Sequence, residues 1–410
     1  MSLTLTVHRG TQEIGGSCIE IAHASGARLV LDVGRPLEAL PDATGLLPTT
    51  LDLARPATVV LSHSHQDHWG LLNEVPADWP VWASADTAEL LAVVPELLGR
   101  DAPRSLHTWP RRGAPPPLGP FRVTPIATDH SAFDASMLLI EADGTRILYS
   151  GDFRRHGRKG ALVERLMANP PKDVDVLILE GTNLGQDKPV MSEAALEEDV
   201  VDLFGRTPGR VFVEWSGQNI DRTVTLYRAV KRTGRTLAID LYTADVLDRI
   251  AEGTGLPRPG WPNLKVVLTR GLRQRYVEIG REDFVARMAK DGLAASQLVA
   301  GMHVVMLRRA LIRDYKAKGV VPAAEDAYVH STWRGYLAKD SAALDWCRAG
   351  GAKVEYLHTS GHASAEDLRA FAAAIQPKAV VPVHGASWDR EGDGFGPVHR
   401  LADGEPMMLA

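Results

Sequence analysis

Within six consecutive positions, His63-Ser-His-Gln-Asp-His68 gathers three imidazoles and a carboxylate. In an extended turn His63 and His65 point the same way, because side chains alternate with a period of two. Asp67 and His68 lie beyond the bend and face a second position. Imidazole nitrogen and carboxylate oxygen suit zinc, and the lack of thiolates fits a catalytic rather than a structural site. A lone histidine is more often packed in a core or left at the surface. Three with an aspartate at this spacing read as a metal site.

Further donors must come from elsewhere in the chain. His130 stands in Thr128-Asp-His-Ser131, Asp152 in Ser150-Gly-Asp152, and His384 in Pro382-Val-His-Gly385. A carboxylate can bridge two cations, which a neutral imidazole does not do. Asp152 is therefore the natural bridge, with cations about 3.5–4 Å apart as in two-metal hydrolases. His384 would complete the second position.

The elements that must carry these residues are short and β-rich in the first 185 or so positions. Arg28 to Gly34, Ala57 to Leu61, Thr145 to Tyr149 and Val174 to Leu179 each read as a buried strand. At their C-terminal ends stand Asp32, the His63 cluster, Asp152 and Glu180, where open sheets place their chemistry. From about Met191 the pattern becomes strand Arg210–Glu214, helix Ile220–Arg232 stopped at Gly234, and strand Thr236–Asp240. That is a βαβ unit with its own parallel sheet. Glu278 to Lys318 reads as helical. Near Gly350 a strand returns (Lys353–Leu357), then a loop with His362, helix Ala365–Ile375, and strand Ala379–Val383 ending at His384. Two consecutive α/β domains would give a similar pattern. An insertion is preferred, because His384 closes the kind of site that His63 opens. The expected boundaries are 1–190 and 351–410 for one domain and 191–350 for the inserted one.

These motifs together resemble the metallo-β-lactamase superfamily, and the resemblance covers nearly the whole chain. It implies an α/β fold, an αββα sandwich, with the metal ligands His63, His65, Asp67, His68, His130, Asp152 and His384. Asp32 in Leu31-Asp-Val-Gly34 is similar to that family's first buried aspartate, which orients the histidine loop. Glu180 in Leu179-Glu-Gly-Thr182 and His362 in Ser360-Gly-His362 extend the match to the β-CASP branch, with its inserted α/β domain. Trp333-Arg-Gly-Tyr-Leu337 resembles a segment near the end of that insertion. Members of the branch are nucleases, and those with histidine where His384 stands typically cut RNA, as ribonuclease J and the cleavage-and-polyadenylation endonuclease do. One departure is that ribonuclease J usually carries a further C-terminal domain, whereas this sequence stops at Ala410.

The implied chemistry is phosphodiester hydrolysis with two divalent cations, zinc first and manganese as the alternative. Asp67, Glu180 and His362 form the expected catalytic group. His362 is the candidate acid for the leaving oxygen, since histidine titrates near working pH. Ser360, Ser364, Arg154 and Arg155 are the candidates for phosphate. Ser364 would cap a helix whose N–H groups face an anion, and the arginines follow the metal aspartate. Arg270, Arg273 and Arg275 form a second basic group. Ser216-Gly-Gln-Asn219 reads equally as an anion-binding helix start or as a plain cap. Trp215 and Trp333 could stack bases, with burial the preferred role for both.

Bulk properties agree with such an enzyme. The chain has 410 residues, 45% hydrophobic and 24% charged, and a formal net charge of −5. That balance excludes a uniformly basic coat but not a local basic channel. Cys18 and Cys347 make no disulfide framework, and no secretory signal or apolar run of about 18 residues is visible. A cytoplasmic enzyme acting on single-stranded RNA is expected, with DNA as the alternative substrate, no membrane partner, and a homodimer as an allowed assembly. The competing readings are a DNA nuclease of the same branch and a thioester or lactone hydrolase of the same fold.

Overall fold

The computed structural model describes residues 3–40, 42–99, 106–186 and 190–409. The chain divides into two compact units. The first is discontinuous: Met1–Ala92, Asp101–Val190 and Gly361–Ala410. The second comprises Val93–Arg100 and Met191–Ser360.

Two sheets build the first unit. One has seven strands in the order Pro406–Leu409, Leu3–Arg9, Cys18–His23, Arg28–Leu31, Thr58–Val60, Val81–Ser84, His107–Trp109. The other has five, in the order Ala379–Pro382, Val176–Leu179, Thr145–Tyr149, Ser136–Ala142, Arg122–Ala127. Alternation along the strands makes the layering. Leu29 and Leu31 join Ile140, Ile147, Ile178 and Val381 in a core shared by both sheets. Val30 points the other way, into a cluster with Leu71, Leu72 and Leu91. Behind the second sheet, Val163 of helix Gly160–Ala168 and Leu368 and Phe371 of helix Ala365–Ile375 pack on Leu148 and Leu177. This is the αββα sandwich. Both edge strands of the five-stranded sheet carry a proline, Pro125 and Pro382, where a missing N–H costs no ladder bond.

The second unit holds a six-stranded, all-parallel sheet, ordered Leu264–Val267, Thr236–Asp240, His303–Met306, Val211–Glu214, Ala327–His330, Lys353–Tyr356. Two sequence expectations are corrected here. Glu278–Lys318 is not one helical stretch: strand His303–Met306 runs through the middle of the sheet, between helices Glu282–Ala289 and Arg309–Ala317. Its four residues are all buried, and a parallel strand buried on both faces has no alternation to distinguish it from a buried helix. Strand Lys353–Tyr356, expected to open the returning segment at 351, pairs with Ala327–His330 as an edge of this sheet, so the first unit resumes at Gly361. Among the described residues no helix is long and apolar enough to cross a membrane.

Candidate metal centre

Strand pairing within the first unit brings the donors together. Thr145–Tyr149, Val176–Leu179 and Ala379–Pro382 are parallel neighbours, so Asp152, Glu180 and His384 leave the sheet at one end. Arg28–Leu31 and Thr58–Val60 are likewise parallel, which sets Asp32 beside the His63 loop. The Ser136 N–H donates to Ser62 O (3.1 Å), tying that loop to the second sheet. The loop then coils through helix Gln66–Trp69, with Val33 N–H bonded to His68 O and Ser17 N–H to Asp67 O. A Cβ at Gly34 would stand 1.8 Å from Asp67 O, so only glycine admits this approach.

Asp32 is fully buried and sits in the left-handed region (φ 59°). Its Oδ1 accepts from Ser62 N (2.7 Å). Its Oδ2 accepts from Ser62 Oγ (2.7 Å), Tyr149 Oη (2.8 Å) and His68 Nδ1 (2.7 Å). The other imidazoles are held in the same manner, by the nitrogen that faces away from the centre. His63 Nδ1 is 3.0 Å from Ser62 Oγ, whose proton goes to Asp32. His384 Nδ1 is 2.8 Å from Thr182 Oγ1, and His130 Nδ1 donates to Gly361 O (2.6 Å). For His63, His130 and His384 the partner fixes the N–H on Nδ1 and turns Nε2 inward, as in the metal sites where an outer partner orients the ligand. His68 has a carboxylate at each nitrogen, Asp32 at Nδ1 and Asp152 at Nε2, and against the downward effect of burial these hold it well above the ordinary histidine range until a cation takes the proton's place. His65 differs: its Nδ1 is the inward atom, 3.0 Å from His130 Nε2.

Among the described residues three groups of donors result, each with its atoms within 4.8 Å of one another: His63, His65, His130; Asp67, His68, Asp152, His384; and Asp152, Glu180, His362, His384. Asp152 stands among them. Its Oδ2 is 3.1 Å from His68 Nε2 and 3.7 Å from each of His63 Nε2, His384 Nε2 and His362 Nδ1. Asp67 Oδ2 lies 3.3 Å from His384 Nε2. His362 Nδ1 is 3.1 Å from Glu180 Oε2, and Asn183 Nδ2 donates to the carbonyls of His362 and Ala363, steadying that loop.

The donor set fits divalent cations. Among the described residues, His63 Nε2 and Asp152 Oδ1 are buried with no hydrogen-bond partner, although burying an unpaired polar atom is costly. Burial, reinforced by neighbouring imidazoles, holds His63 and His130 neutral, well below the ordinary histidine range. Burial likewise lowers His65, and neutral imidazole is the ligand form. Burial would raise Asp152 and Asp67, but the surrounding histidines hold both below the usual carboxylate range. For His362 burial acts downward, yet the Glu180 and Asp152 carboxylates prevail and push it up to about 9.

The residues expected at phosphate are placed differently. Arg154 is completely buried, its Nε 3.5 Å from Asp129 Oδ1, which rules out the expected contact with a solvent-borne phosphate chain. A guanidinium directly after Asp152 satisfies the fold instead. Arg155 is paired with Glu164 and Asp367. Ser364 caps helix Ala365–Ile375 by accepting from Asp367 N (3.0 Å), as its sequence position suggested. Ser360 belongs to the second unit, as do Arg270 and Arg273, which are exposed, and Arg275, which donates to Leu97 O. Ser62, Tyr149, Thr182 and Asn183 received no role from sequence. Their signal, polar residues flanking the metal motifs, is too common to stand out.

Comparison with known proteins agrees with this geometry. Residues 37–232 match the beta-lactamase superfamily domain, and residues 351–387 match the Zn-dependent metallo-hydrolase RNA specificity domain. The chain thus carries a metallo-β-lactamase domain together with the RNA specificity domain of the β-CASP branch. Among curated proteins it is 26% identical to ribonuclease J of Helicobacter pylori (strain B128), the match covering 94% of this chain and 56% of that protein. It is 24% identical to ribonuclease J of Sinorhizobium meliloti (92% and 68%) and 25% identical to that of Mycobacterium tuberculosis (93% and 69%). It thus spans little more than half the length of the Helicobacter relative. A crystal structure of a protein of unknown function from Enterococcus faecalis V583 shares the fold over 100% of both chains, with a TM-score of 0.79 and 21% identity.

Proposed function

We infer that this chain is a two-metal phosphodiesterase that cleaves single-stranded RNA. The observation that carries the reading is the set of inward-facing donors converging on Asp152, two of whose buried atoms, His63 Nε2 and Asp152 Oδ1, have no hydrogen-bond partner among the described residues, with the His362–Glu180 pair at its side. The RNA specificity domain match and the ribonuclease J relatives support RNA as the substrate class. His63, His65 and His130 would hold one cation and Asp67, His68 and His384 the other, with Asp152 between them. Zinc is the expected metal and manganese the alternative. Bound there, the cations would supply Lewis acidity toward the phosphate and a more acidic water for attack.

The protein's own part is positional and acid–base. Asp32, Ser62, Thr182 and the Gly361 carbonyl fix four imidazoles before substrate arrives. Glu180 accepts from His362 Nδ1 and leaves Nε2–H to protonate the departing oxygen. Held at about 9, His362 is protonated at neutral pH and can give up that proton during bond cleavage.

The test is cleavage of 5′-labelled and 3′-labelled RNA and DNA of one sequence, with and without chelator. Metal-dependent cleavage of RNA in preference to DNA is expected. Turnover of DNA alone would make it a DNA nuclease. Hydrolysis of a thioester or lactone with no turnover of nucleic acid would overturn the assignment.

A further inference from the structure

At the carboxyl edge of the parallel sheet in the second unit, strand Ala327–His330 runs into Ser331, Thr332 and the short helix Arg334–Ala338. Leu337 packs on the apolar core there. The two largest side chains do not, contrary to the burial expected for Trp333: Trp333 is 56% and Tyr336 51% exposed. Their rings meet edge to face, centroids 5.4 Å apart at 90°. The indole is supported from below. A Cβ at Gly335 would lie 2.2, 2.3 and 2.5 Å from three atoms of its six-membered ring, so a ring face rests on the glycine and a larger residue there would displace the indole.

Beside this pair, the Arg334 guanidinium sits 4.5 Å from the centroid of the Tyr356 ring. Tyr356 in turn stacks on His330 (5.8 Å, 20°), which Glu214 and Thr332 hold at 3.1 and 3.0 Å. Arg334 is therefore carried on a rigid aromatic stack rather than left to wander. Helix Arg309–Ala317 adjoins the platform through the Arg309–Asp340 ion pair (2.7 Å) and exposes Arg313 and Lys316. Exposed aromatic faces with cations beside them are what a single-stranded nucleic acid needs: every base offers a π-face, and every linkage an anion.

We propose that Trp333, Tyr336 and Arg334 form a stacking platform for single-stranded RNA, a base lying on the indole and its phosphate on Arg334. This rests on the RNA reading above. It adds a binding element in the second unit that requires no metal.

The experiment is fluorescence anisotropy of the metal-loaded full chain with a labelled, phosphorothioate-linked oligouridine that resists hydrolysis. Cleavage of ordinary RNA and sedimentation of the free protein are measured alongside. Trp333→Ala should raise Kd by about 5- to 100-fold, the range of one base–aromatic stack, while Trp333→Phe recovers most of the affinity. Arg334→Ala should lower the salt dependence of log Kd by about one phosphate contact. Wild-type affinity in Trp333→Ala and Arg334→Ala, with wild-type cleavage of RNA intact, would overturn the platform and leave the ribonuclease reading standing. A wild-type chain that neither binds nor cuts RNA would sink both. A Trp333→Ala change confined to self-association would make the pair a protein interface and overturn the proposal.

Discussion

Two buried charged clusters lie in the first unit, and they are built on opposite rules. In one, Glu20 accepts from Arg28 Nε (2.9 Å), Arg28 Nη2 and His8 Nε2 (3.2 Å). Arg28 Nη1 is spent on the carbonyls of Asp52 and Arg55, and His8 Nδ1 on Thr50 (2.9 Å). Every polar atom there has a partner. In the other, around Asp152, the histidines are pinned from outside while their inward atoms crowd one another and the carboxylates, and among the described residues His63 Nε2 and Asp152 Oδ1 are buried with no hydrogen-bond partner. A saturated buried cluster serves the fold. An oriented but unsaturated one stores an unmet need that a cation can fill. Burial and charge are alike in the two, so saturation is what separates structure from function.

Substitutions sharpen that contrast. The largest effect is expected for Asp152→Ala, which should lose metal and abolish RNA cleavage, about 10⁴-fold or more by analogy with removal of a central catalytic group. His362→Ala should keep two cations per chain, by elemental analysis, yet slow single-turnover cleavage about 10²- to 10⁴-fold. A metal-depleted His362→Ala would make His362 a ligand, as its place in the third donor group allows.

The saturated cluster should do the reverse. Burial would raise the Glu20 carboxyl, but the hydrogen bonds from His8 and Arg28 prevail and hold it at about 2. A depressed carboxylate stabilises the fold above its unfolded pKa, near 4.5, and that contribution fades as pH falls through about 2. Glu20→Gln should therefore cost about 3 kcal/mol at pH 7 by denaturant unfolding, leaving Arg28 buried and uncompensated. The gap to wild type should close between pH 4.5 and 2. Metal content and cleavage rate per folded molecule should be unchanged. Asp32→Asn, which joins both worlds, should weaken metal affinity about 10- to 100-fold in competition with a chelating dye. Tyr149→Phe, removing one of the donors to Asp32, should weaken it less than Asp32→Asn does.

Much of the centre was legible because its residues are unusual. Three histidines and an aspartate in six positions rarely serve packing alone, and strands delivering acids at their C-terminal ends foretold the convergence. The sandwich followed from the same strands. What escaped had no local signature. Strand His303–Met306 is uniformly buried and so lacks a period. Lys353–Tyr356 shows a strand pattern that fits either sheet, and its partner is chosen only by tertiary pairing. Arg154 sits in a basic run of the kind that usually faces solvent, and only the three-dimensional position of Asp129 turns it inward. Trp333 erred the other way: its exposure depends on Gly335 beneath it, a contact that sequence spacing does not announce.

If the donors around Asp152 hold two divalent cations, metal stoichiometry will count them. Wild type, Asp152→Ala and His362→Ala would be loaded with zinc or manganese, desalted and analysed by elemental mass spectrometry beside their melting temperatures. Two cations per wild-type chain and a raised melting temperature on loading are expected, with the same two in His362→Ala and fewer in Asp152→Ala. A wild-type chain that binds none, or an Asp152→Ala chain that binds as many as wild type, would contradict that expectation.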